Sequence, residues 1–141
     1  MTTSTDAGAV DSWDAGVRRV ALELAMELER LLAEPAFQVG CYTGTWDEAV
    51  LLEIRALSYT LAELASFHPL VAPATATRLD AVMSAWEAFL LTVQHLLAVG
   101  FEPGPLRTPG HLAESPLELL RACHAQLREL GTATGGSAAA S

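Results

Sequence analysis

The chain has 141 residues, 51% of them hydrophobic, and a formal net charge of −9 from 17 acids against 8 bases. That length suits one domain with a core that needs no disulfide or metal staple. All eight bases are arginine, so chemistry that requires a lysine is excluded: Schiff-base catalysis, pyridoxal enzymes and phosphate-loop nucleotidases. The acidic balance argues against a nucleic-acid partner and against an anionic membrane surface, since both need clustered positive charge.

Leu and Ala dominate and Ile occurs once, at Ile54, a bias that favours helices over strands. Residues 1–9 read as a disordered tail, 10–130 as one helical domain, and 131–141 as a second disordered tail. The opening "MTTSTDAGAV" lacks the basic start and apolar core of a signal peptide, and the two cysteines do not form a disulfide framework. The expected location is therefore cytoplasmic.

The first helix is expected from about Ser12 to Glu34, capped by Asp11 or Ser12 and ended by Pro35. Trp13, Val17, Val20, Leu24, Leu28 and Leu31 make its apolar stripe. A long connection over 35–44 follows, carrying Cys41 and Tyr42. The second helix is expected from Trp46 to about Phe67, with "TWDE" read as a capping box of Thr45 and Glu48. Its stripe is Trp46, Val50, Ile54, Leu57, Leu61 and Leu64.

The third helix begins between Pro73 and Arg78 and reaches about Val99. Leu79, Val82, Met83, Trp86, Leu90, Val93 and Leu97 form its main apolar face. The opposite side, which includes Ala81, Ser84, Ala88, Leu91 and His95, is small or apolar instead of charged. A helix with two such sides is buried on both, and a homodimer through this second face is the expected arrangement, against a helix packed between loops. The stretch Ala81 to Phe101 matches the roughly 20 residues of a membrane span, but Glu87, Gln94 and His95 within it oppose that reading. After a long 100–114 loop, "SPLE" starts the fourth helix, with Ser115 as cap, Pro116 in the first turn and Glu118 completing the box. Gly131 is the expected left-handed stop. The fold class is thus all-α: a four-helix bundle-like single domain with long 35–44 and 100–114 loops, dimeric through the third helix.

No metal motif is present. None of the four histidines follows a glutamate by three positions, and there is no His-Glu-x-x-His or Cys-x-x-Cys. No metal or cofactor is expected. A bundle-core pocket would draw its acid and base from His68, Glu27 and Glu53, with Trp46 and Trp86 as walls and Arg107 closing over an anionic ligand. His68 also reads simply as a histidine favoured by a helix C-terminus. Arg121, His124 and Arg128 share a stripe on the fourth helix, the compact basic feature of an acidic chain. It offers either a place for an acidic protein or anionic small molecule, or an ordinary solvated edge. Cys123 turns inward from it among leucines.

Two functions follow. One is a non-catalytic regulatory, adaptor or accessory protein that pairs with itself. The other is a small-molecule binder or cofactor-independent acid/base enzyme of the isomerase or cyclase type.

Overall fold

In the computed structural model the described residues are 2–99 and 115–133. They form five α-helices and a 3-10 turn, with no strand among them: α1 (Thr2–Ala33), α2 (Pro35–Thr43), α3 (Glu48–Ala65), the turn His68–Leu70, α4 (Pro73–Val99) and α5 (Pro116–Thr132). α1 starts at Thr2, well before the expected cap at Asp11 or Ser12. The 100–114 loop lies outside the described residues.

The segment 35–44 is a helix and not the long loop its glycines and tyrosine suggested. Glu34 is extended, as a residue before proline prefers, and Pro35 takes the first turn, where its missing N–H costs nothing. Gly44 closes α2 in the left-handed conformation at φ 76°, its N–H donating to the Gly40 carbonyl at 2.8 Å. Tertiary packing makes so short a helix worthwhile. Phe37 is fully buried, and the Trp46 indole N–H donates to the Phe37 carbonyl at 3.1 Å. A Cβ at Gly40 would run into the Trp46 ring, so the glycine is what lets the indole lie on α2.

The capping box expected at Thr45 is also displaced. Asp47 is the N-cap of α3, accepting from the Val50 N–H at 3.0 Å, while Trp46 turns inward. At α5 the expectation and the structure coincide at the start: Ser115 accepts from the Glu118 N–H at 3.2 Å and Pro116 sits in the first turn. They differ at the end. Gly131 lies inside the helix, which runs on to Thr132. Its role is close approach: a Cβ there would come 2.5 Å from the Leu22 side chain and 3.1 Å from the Arg18 carbonyl.

Most of the stripe positions read from the sequence form one core, while Trp13 and Leu97, also expected there, are exposed. Val17, Leu24, Leu28 and Leu31 of α1, Val50, Ile54, Leu57, Leu61 and Leu64 of α3, Leu79, Val82, Trp86 and Val93 of α4, and Leu119, Cys123, Leu127 and Leu130 of α5 are all buried. At about 1.5–3 kcal/mol per buried aliphatic or aromatic side chain, this burial is the main force holding the helices together. Phe37, Trp86 and Phe89 pack with tilted rings through its middle, with Trp86 and Phe89 centroids 5.1 Å apart and Phe37 and Phe89 6.2 Å apart. α5 runs close along both α1 and α4. His124 meets Glu29 and Gly131 meets Leu22, so α5 is antiparallel to α1. Trp13 meets Phe67 with tilted rings at 5.1 Å while Val20 lies beside Thr60 and Leu64, which makes α3 antiparallel to α1 as well.

The start of α4 is set from outside the helix. Ala72, the residue before Pro73, has no side chain to cap with. The carboxylate of Asp14, on α1, takes that place: it accepts from the Ala72 N–H at 3.0 Å and from the Thr75 hydroxyl at 3.1 Å. Asp14 is only 3% exposed, and Arg18 one turn on approaches it at 4.0 Å. A negative charge beside the first turn of α4 also suits the helix dipole.

Candidate functional site

The acid/base set expected for a core pocket is dispersed. Glu27 lies exposed on α1, along a surface groove of about 560 Å³ shared with Glu23, Met26, Glu29, Arg30 and Ala33. Glu53 is exposed on α3 and does not join that groove. His68 sits on the 3-10 turn and points outward, with its Nε2 3.2 Å from Asp80 of α4. Trp46 and Trp86 are core residues: the first donates to the Phe37 carbonyl, the second to the Ser58 hydroxyl at 3.1 Å. Arg107 lies outside the described residues. The described members of the set therefore do not face one cavity.

The basic stripe of α5 is already neutralised within the chain. Arg121 pairs with Glu118 one turn earlier at 2.9 Å. His124 and Arg128 both reach Glu29 of α1, at 2.9 and 3.7 Å. These contacts are partly exposed and tie α5 to α1, so an incoming anion would have to compete with carboxylates already in place. Cys123 does turn inward: its Sγ lies 3.8 Å from the Val82 carbonyl, and burial pushes its pKa up to about 12. Desolvation also raises Cys41, to about 11, against a smaller opposing effect of the Trp46 indole. Both thiols are free, and neither is disposed to act as a thiolate nucleophile. Among the described residues no group of three His, Cys, Asp or Glu side chains could hold a metal ion.

What remains is a surface. The second face of α4 is turned away from the core: Ser84, Leu91 and His95 are exposed, and Ala81 and Ala88 are half-buried. α3 borders α4 along a different side, that of Leu90, Val93 and Leu97. Between α3 and α4 runs a groove of about 410 Å³, lined by Leu51, Ile54, Arg55, Ser58 and Tyr59 on one side and Leu90, Val93, Gln94 and Leu97 on the other. Of its lining, Tyr59 and Leu97 are 69 and 45% exposed, while Leu52 of α3 and Leu91 of α4, outside the lining, are 56 and 66% exposed. Exposed apolar residues scattered singly are ordinary; Tyr59 and Leu97 stand out because they flank one apolar groove between two neighbouring helices.

The contribution of α3 was not drawn from the sequence, although the signal was there. Leu52 and Tyr59 are seven residues apart, so they share a helical face, and that face lies opposite the Val50, Ile54 and Leu57 stripe. No comparable pattern announces Asp14, which acts on a residue 58 positions away. By length and composition α4 is apolar enough to cross a membrane. No family model, curated protein or solved structure matches this chain.

Proposed function

We propose that this chain is a helical-bundle homodimer that works as a non-catalytic interaction protein, in the regulatory, adaptor or accessory class, in the cytoplasm. The reading takes α1, α3, α4 and α5 as an up-down-up-down four-helix bundle, with α2 as a short brace. The alternating helix directions and the single apolar core support it.

The observation that carries the reading is the exposed apolar surface of α3 and α4. Leaving Leu52, Tyr59, Leu91 and Leu97 in water forgoes burial worth up to about 1.5–3 kcal/mol for each large side chain. A partner that covers them recovers that free energy. The dispersal of Glu27, Glu53 and His68 supports a binding role over acid/base catalysis, which needs its groups converging on one point. Cytoplasmic placement is supported by the polar residues along α4: Arg78, Asp80, Glu87, Gln94 and His95 fall within the span that would have to enter the bilayer.

Sedimentation equilibrium of the full chain tests the proposal. A reversible dimer at micromolar concentration is expected. A clean monomer across the same range, or a chain that stays in the membrane fraction on cell lysis, would overturn it.

A further inference from the structure

We draw no further inference here: the strongest candidate, the apolar groove between α3 and α4 with Tyr59 and Leu97 at its edge, carries none because nothing in the structure shows what covers it.

Discussion

The α1–α5 seam and the α3–α4 seam are both built from leucine-rich helices, yet they close to different degrees. At the first, Gly131 lets α5 approach until Leu22 occupies the space a Cβ would need, and His124 and Arg128 of α5 clasp Glu29 of α1. At the second, Trp86 reaches across to Ser58, and beyond it the two helices leave an apolar groove with Tyr59 and Leu97 at its edge. Where small residues line a seam the backbones come together and ion pairs finish the rim. Where large residues line it, the seam buries them on one side and leaves a trough on the other. Both seams contribute to stability, but only the second leaves apolar surface available for recognition.

Substitutions that separate the two regions should have unequal effects. The largest loss is expected from Trp86→Ala, which empties a fully enclosed site beside Phe89 and strands the Ser58 hydroxyl. It should cost about 3–5 kcal/mol, read as a drop in the denaturant midpoint. Asp14→Ala comes next, at roughly 2–4 kcal/mol, because the Ala72 N–H and the Thr75 hydroxyl both lose their acceptor at a buried helix start. Asp14→Asn should retain part of this, and a variant as stable as the parent would show that α4 needs no cap from α1.

Gly131→Ala should destabilise by about 1–3 kcal/mol despite the better helix propensity of alanine, since the new Cβ meets Leu22 and the Arg18 carbonyl. Leu22→Ala in the same chain should relieve part of that loss. A gain in melting temperature from Gly131→Ala alone would mean that the α1–α5 seam has room to spare.

The thiols yield a smaller, pH-confined effect. Burial raises Cys123 from its ordinary 9.0 to about 12, so the folded chain holds the thiol proton more tightly than the unfolded chain does. The resulting stabilisation is complete below about pH 9 and is lost as pH rises toward 12. Urea midpoints should therefore decline across that window, less so in Cys123→Ala. A disulfide reagent at neutral pH should label two thiols only after unfolding. Rapid native labelling of Cys123 would contradict its burial. The smallest effect belongs to the open region: Tyr59→Ala should change the stability of the single chain by no more than about 0.5 kcal/mol, because the ring is mostly in water.

Much of this architecture was legible one helix at a time. The stripes of α1, α3 and α5 are buried largely as their periodicity implies, because a 3.6-residue repeat fixes which side chains share a face whatever the partner is. Ser115 and Pro116 mark a helix start by local hydrogen bonding alone, and structure and pattern coincide there. Local reading fails where a distant group intervenes. Segment 35–44 carries loop-like residues and folds as a helix because Phe37 and Gly40 dock against Trp46. Gly131 looks like a helix stop and is a contact point, since its neighbour Leu22 lies on another helix.

The candidate site divides in the same way. Residue type and spacing place Ala81, Ser84, Ala88, Leu91 and His95 on one face of α4, and Arg121, His124 and Arg128 on one stripe of α5. Whether a face meets water, a carboxylate or another helix depends on what the chain brings opposite it, and periodicity carries no record of that. Tertiary structure alone put Glu29 beside His124 and Arg128, set Asp14 at the head of α4, and brought Tyr59 of α3 and Leu97 of α4 to one groove. The sequence by itself determined an all-helical chain with its core residues and several helix ends, because those follow from backbone sterics and hydrophobic period. Which charges are neutralised and which apolar faces stay open were decided by the packing of helices far apart in the chain.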